Sequence, residues 1–450
     1  MTPTTSDLAG LVATLTELLG ERGVSFDLAT RERASVDGCK LSPVISAKLP
    51  LGLADVVAYP TSAEQIAHVV AAAVRHGVPI TPRGKGTGNY GQGIPMSGGL
   101  VLDMSRARTV IEIGDGFVTA DAGAVLAMIE NQAWSAGQQL LLYPSTAQST
   151  LGGFLAGGSG GTGSIAHGVI AGGPFVIALD VVHATGDAEL VHVEGEAAQP
   201  YLHNYGTAGI IARATVRLEP LQEWRAFYAS FDDFSQALSI IRQVGDLVPT
   251  PRLVSADLPT LADALPSNAG ISKGRASLRA ILDERAVAAA SALVESAGGT
   301  VVDVREGAQE VMRLSMISYN HPIEWLQKAY PGTYFHVEVG GDALVERIDE
   351  VHAVYPGGML HIEAQKGRPI GMLAGEYESE EAVVAGFATL AELGVNTHNP
   401  HQWYVDVEIE RTRELKAETD PQALLNPGKL PAPALTTAAS NPLMVSGTTR

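Results

Sequence analysis

The stretch ITPRGKGTGNYGQGIP, residues 80–95, carries glycine at Gly84, Gly86, Gly88, Gly91 and Gly93. A backbone with so few Cβ atoms reaches angles closed to other residues and can turn successive N–H groups toward an anion, for which a diphosphate is the natural candidate. Gly86, Gly88 and Gly91 spell the letters of a dinucleotide fingerprint. That motif opens a helix, however, and here QGIPMSGG follows. Lys85 lies inside the glycine run and no Gly-Lys-Ser/Thr ending exists, so the P-loop reading fails as well. A plain surface loop is the remaining alternative to an anion cradle.

Working outward, the strand VVAYP (56–60) precedes a helix whose apolar stripe is Ile66, Val69, Val70, Ala73 and Val74. Thr61 and Glu64 read as its capping box, and Gly77 followed by Pro79 ends it. After the glycine loop come a strand at 100–103, a hairpin turning at Gly114-Asp115-Gly116, and a helix over about 125–136. A second hairpin joins ALDVVHA to ELVHVEG, and the alternating strand IIARATVRL closes this half at Pro220.

From Trp224 to Val304 the order is β-α-β-β-α-β, with the first helix capped by Asp232. A similar order restarts at Tyr334, with helices over 343–354 and 380–393. Each half predicts an antiparallel sheet with helices on one face, the ferredoxin-like arrangement. The last helix signal is Asp420 before Pro421, and the chain beyond 430 has the composition of a disordered tail.

A second glycine run spans Tyr143 to Gly168 and offers Ser145, Ser149 and Thr150 as hydroxyl donors. Within it, Gly157-Gly158-Ser159-Gly160-Gly161 matches a hydrolase nucleophile elbow in letters. The elbow needs a strand before the serine and a helix after it, and the surrounding glycines oppose that helix.

Composition bounds the rest. At 450 residues and 46% hydrophobic composition the chain can build a real core in two or three units. A net charge of −19 argues against nucleic acid, which needs basic surface. One cysteine, Cys39, excludes an intrachain disulfide framework and a zinc site of several thiolates. With no long apolar run and no ordinary secretory signal, the expectation is a cytoplasmic protein without a membrane span.

Five motifs in order give the chain a resemblance to the PCMH-type (vanillyl-alcohol-oxidase-like) FAD-binding family, which includes D-lactate dehydrogenase, glycolate oxidase subunits and alkylglycerone-phosphate synthase. VVAYPTSAEQI looks like the family's opening element, and Pro82 to Gly88 is similar to its P-R-G-G-G-T-S/G loop, with Lys85 in place of a glycine. Ser149 to Gly153 and Tyr205 to Ile211 resemble its later flavin loops, and Asp420 to Leu430 its closing D-P-x-x-L-L-N-P-G-K-L.

The resemblance implies an α+β fold: an FAD-binding domain over 1–220 and a ferredoxin-like cap over 221–405. A segment over 406–430 returns to the first domain, and the tail occupies 431–450. It further implies that Arg83, Gly84, Lys85, Gly86, Thr87 and Gly88 hold the diphosphate, with Asn89 beside them. Pro144, Ser145, Ser149, Thr150, Gly152 and Gly153 would lie along the cofactor, as would Gly157, Gly160 and Ser164. Gly209, Ile210, Ile211 and Asn426 complete the set. Family members with covalent flavin often carry a histidine in the first glycine loop, sometimes with a cysteine in the second. Neither is present, so the FAD is expected to be non-covalent.

Flavin oxidation of a C–H bearing oxygen calls for a base near the ring. The candidates are His321, ranked first, then Tyr319, His398, His401 and Tyr404, with His361 and Glu363, which share one strand face as His336 and Glu338 do on theirs. A metal is not expected, because the family's H-x-G-D-G-N-x-H pattern is missing. The expected function is FAD-dependent oxidation of a small alcohol or hydroxy acid, with oxygen or another carrier as electron acceptor and a homodimer allowed. The alternatives are a non-redox flavoenzyme resembling alkylglycerone-phosphate synthase, or a serine hydrolase.

Overall fold

The computed structural model describes residues 7–268, 270–366 and 368–431. From residue 432 onward, the expected tail lies outside the described residues. In chain order the first half contains β1 (Val24–Ser25), β2 (Val56–Ala58), β3 (Ile80–Arg83), β4 (Leu100–Asp103), β5 (Val110–Gly114), β6 (Phe117–Asp121), β7 (Gln138–Leu140), β8 (Val176–Val182), β9 (Val191–Glu194) and β10 (Ile210–Pro220). The second half contains β11 (Trp224–Phe231), β12 (Leu253–Asp257), β13 (Ala276–Asp283), β14 (Thr300–Glu306), β15 (Tyr334–Gly340), β16 (Met359–Glu363), β17 (Ile370–Glu376) and β18 (Asn396–His398).

The first four strands form a sheet in the order β1-β2-β4-β3, parallel from β2 to β3. Helix Ala63–Arg75 supplies the crossover between β2 and β3 and buries its apolar stripe among this sheet, helix Leu8–Leu19 and strands β8 and β10. Its cap sits one residue later than the sequence reading places it. Ser62 is the N-cap and Gln65 reaches back to Thr61, while Glu64 turns outward to pair with Arg213. Antiparallel pairing orders the next sheet β5-β6-β10-β8-β9 and packs it on helix Leu126–Ser135 through Val118, Ala120, Ile129 and Val216.

The remaining eight strands make one antiparallel sheet, β14-β11-β13-β12-β16-β17-β15-β18. Numbered within each half, both runs read 4-1-3-2, the ferredoxin-like order, and the halves join edge to edge where β12 pairs with β16. Period-2 alternation divides the faces: Leu360, Ile362 and Leu373 point into the core under the helices, while Met359, His361, Glu363 and Met372 point away from it.

Three local expectations are corrected. Asp233, not Asp232, caps helix Phe234–Gly245, since Gln236 completes its capping box. The helix expected over 343–354 is two short ones, Ala343–Glu346 and Ile348–His352, broken at Arg347, whose guanidinium pairs with Glu350. Asp420 ends a helix, Ile409–Thr419, instead of starting one: its carboxylate accepts from the N–H groups of Leu424 and Leu425.

Candidate active site

A cleft lies between the glycine loops of the first half and the face of the eight-stranded sheet that carries His361 and Glu363. One wall begins where β3 ends. Residues Arg83 to Asn89 leave the strand as a loop, with Gly86 in the left-handed region at φ +65°. Gly84 sits so close to the second loop that a Cβ there would lie 2.2 Å from Thr150 Oγ1. That hydroxyl accepts from Gly153 N–H and caps helix Leu151–Gly157, so the two loops are locked together. Ser159 follows this helix, not a strand, which removes the nucleophile-elbow context.

Of the residues expected to touch a cofactor, Arg83 to Asn89, Pro144, Ser145, Ser149, Thr150, Gly152, Gly153, Gly157, Gly160, Ser164, Ile210 and Ile211 line the cleft. Gly209 and Asn426 do not. Asn426 stands behind the wall, where its amide donates to the carbonyls of Gln92 and Tyr205 and its N–H to Ile80, pinning two loops to β3. Lys429, buried so that its ammonium is pushed down to about 7, holds Gly91 O from the same side.

These loops fit a dinucleotide cofactor. Arg83, which lines this cleft, holds Nη1 as a buried donor with no protein partner, and a Cβ on Gly86 would lie 2.0 Å from its Nη2.

The opposite wall is polar. His361 on β16 donates from Nδ1 to Asp257 Oδ1 (2.7 Å) and from Nε2 to Glu363 Oε1 (2.8 Å), and Asp257 in turn pairs with Arg279 at 2.5 Å. All four side chains are almost fully buried. Burial alone would depress the His361 pKa, but the charge and hydrogen bond of Asp257, with those of Glu363, push it up to about 9. Burial holds the Glu363 carboxyl above its usual range.

A second sandwich repeats the pattern, with His398 between Glu338 (2.9 Å) and Asp406 (2.5 Å) and, against the pull of burial, raised to about 10. Both rings are therefore imidazolium at neutral pH.

Tyr319, His361, Glu363 and His398 line the cleft, whereas His321, His401 and Tyr404 do not. The His321 ring is consumed by Met316 O and by Thr146 Oγ1 at 2.9 Å. His401 is held between Ser42 Oγ and His336 O, and burial drives its pKa well down. Sequence reading passed over Asp406, Glu324 and His203, which also line the cleft. Asp406 sits in an irregular segment with no periodicity to mark it, and Glu324 on helix His321–Ala329 looks like an ordinary surface glutamate until Asn89 is seen donating to it at 2.6 Å.

The His398 sandwich has a consequence for stability. Its folded pKa, about 10, lies above the unfolded value of 6.5, so its contribution is complete below pH 6.5 and is lost as pH rises toward 10. His398→Gln is expected to cost roughly 3 kcal/mol at pH 6.5, with the gap from wild type closing as pH is raised. Urea midpoints across that window check this, and a gap that stays constant with pH would sink it.

The architecture is two-lobed. Residues 54–192 match the FAD binding domain family, and this part of the chain is an FAD-binding domain of the PCMH type. Relatives include the glycolate oxidase subunit GlcD of Bacillus subtilis (strain 168), 31% identical over 226 residues, covering 46% of each chain. D-lactate dehydrogenase of Archaeoglobus fulgidus is 24% identical over 200 residues, covering 42% of this chain and 44% of that one. The chain thus spans less than half the length of the curated relatives it matches. In fold it is similar to alkyldihydroxyacetonephosphate synthase, with TM-score 0.73 at 17% identity over 95% of this chain and 87% of that one. Among the described residues no helix is long and apolar enough to cross a membrane.

Proposed function

We propose that the protein is an FAD-dependent oxidoreductase that oxidises a small alcohol or hydroxy acid with a non-covalently held flavin. The observation that carries this reading is the cleft itself, in which the glycine loops of the FAD-binding domain face a buried polar patch on the cap sheet. Arg83 and the loop that follows it would hold the diphosphate, and the segment around Thr150 and Ile211 the rest of the cofactor. When bound, the flavin supplies a two-electron acceptor. The cap meets the loops through Tyr319 OH on Gly161 O and Asn89 on Glu324.

Relatives named for glycolate and D-lactate support a hydroxy acid or alcohol as substrate. A non-redox reaction of the alkyldihydroxyacetonephosphate synthase kind needs a phosphate pocket beyond the flavin. The cap wall is less suited to that, since it presents Glu324, Glu338, Glu363 and Asp406, with Lys366 and Arg368 together on one loop.

The purified protein is expected to be yellow and to release that colour on heat denaturation. Its flavin should bleach anaerobically with at least one of glycolate, D-lactate, glycerol and benzyl alcohol. Colour that stays on the denatured chain removes the non-covalent assignment, and a flavin that no alcohol or hydroxy acid bleaches removes the redox one.

A further inference from the structure

We propose that Glu363 is the catalytic base, receiving the substrate's hydroxyl proton on Oε2, and that Arg279, Asp257 and His361 form a chain that positions it. The proposal rests on the oxidoreductase reading above. A base must offer a free lone pair to the cleft, and the histidines do not. Both ring nitrogens of His321, His361, His398 and His401 are engaged, His203 has Nδ1 on Gly158 O at 3.2 Å and Nε2 at 3.5 Å from Tyr205 OH, and His336 lies outside the main cleft with Nε2 on Tyr90.

Glu363 differs from them. Its Oε1 accepts twice, from His361 Nε2 at 2.8 Å and from the Tyr319 backbone N–H at 2.7 Å. These two donors fix the carboxylate plane, and Oε2 is left buried without a partner in a side chain that lines the cleft. An unfilled buried acceptor is costly in a native structure unless something fills it, and a substrate O–H is the matching donor.

The support behind Glu363 is built across three strands. Arg279 stands on β13, Asp257 on β12 and His361 on β16, and the β12–β16 register sets Asp257 directly opposite His361. The charges alternate, positive, negative, positive, negative, so the chain is neutral when Glu363 is ionised. Its remaining titratable neighbour is Tyr319, on the turn that supplies the N–H. Asp406 also has a free buried oxygen, Oδ1, but it sits on an irregular segment with one ring contact. It serves as the rival in the test.

In the step assigned here the substrate O–H bond breaks and its proton passes to Glu363 Oε2. The carbinol C–H bond breaks with its electron pair leaving as hydride to the flavin, and a C=O bond forms. The alcohol is oxidised by two electrons, for which a bound flavin would be the two-electron acceptor.

The test is stopped-flow anaerobic reduction of the FAD-loaded protein, using whichever of glycolate, D-lactate, glycerol and benzyl alcohol reduces wild type fastest. Gln at 363 keeps an acceptor for both donors, replaces the free oxygen with an amide and removes the carboxylate charge. Glu363→Gln is therefore expected to fold, to keep wild-type flavin content and substrate dissociation constant within a few fold, and to lose about 10²–10³-fold in the reduction rate constant. Glu363→Asp, which retains a carboxylate set back by one methylene, should recover part of that loss, and Asp406→Asn should lose under tenfold.

Asp257→Asn weakens the hold on the His361 proton, so the acidic limb of the rate profile should move to higher pH. A uniform fall with an unmoved limb would overturn the positioning role. If wild type is reduced and Glu363→Gln keeps pace within threefold, or if Asp406→Asn carries the large loss instead, the base assignment alone fails. If none of the four compounds reduces wild type, the oxidoreductase reading fails and this one falls with it.

Discussion

Replacing Gly84 with valine is expected to give a folded but colourless protein, with FAD affinity lowered by about 100-fold or more, or ~3 kcal/mol. Thr150 Oγ1 would lie 2.2 Å from the new Cβ, and Thr150 Cβ and Cγ2 only 3.2 Å from it. Thr150 cannot swing away without releasing Gly153 N–H and uncapping helix Leu151–Gly157, so the strain is relieved by parting the two loops. Gly93→Ala is the matched control, because its Cβ would meet Arg83 Nη1 at an ordinary 3.6 Å. Fluorescence titration of FAD into the apoprotein reads both. A yellow G84V protein of normal affinity would show that the loops do not close on the cofactor.

Arg252→Ala is expected to cost about 3–5 kcal/mol in unfolding free energy. Arg252 leaves the cap sheet just before β12 and enters the first half, where it pairs with Glu130 at 2.7 Å, donates to Leu140 O and lies over the rings of Tyr143 and Trp224. Both partners of the pair are under 5% exposed. Truncation leaves Glu130 as a buried, uncompensated charge that still accepts from Trp134 and Leu140 N–H. The double variant Arg252→Met, Glu130→Leu should recover most of the loss, because it removes both charges and keeps apolar volume. Urea denaturation followed by tryptophan fluorescence measures both, and a single-variant cost below ~1 kcal/mol would show that this bridge between the halves is not under load.

The cofactor side of the molecule was legible in the sequence for a physical reason. A loop that must approach another backbone closely can do so only with glycine, and a run of glycines outside a turn is visible in one dimension. The cap side was partly legible: strand periodicity put His361 and Glu363 on one face, and the 4-1-3-2 order of each half follows from the element sequence.

What periodicity could not show was which polar groups already had partners. His321, next to a proline and beside Tyr319, looks available, yet Met316 O and Thr146 take both of its nitrogens. Asp257 is 104 residues from His361 in the chain, and only the pairing of β12 with β16 makes them neighbours. The Thr61 and Glu64 box misled by one position because Ser62 and Gln65 satisfy the same rule.

The seam between the two halves of the cap sheet carries a consequence for how such a protein could arise. Asp257 belongs to the first half and His361 to the second, so neither half alone contains the pair that backs Glu363. The second unit alone would present β16 as an unpaired edge, with His361 still on Glu363 but without Asp257. The polar centre exists only where the two units pair along their second strands, so the join itself, and not either unit, is what a protein of this kind must have to carry the site.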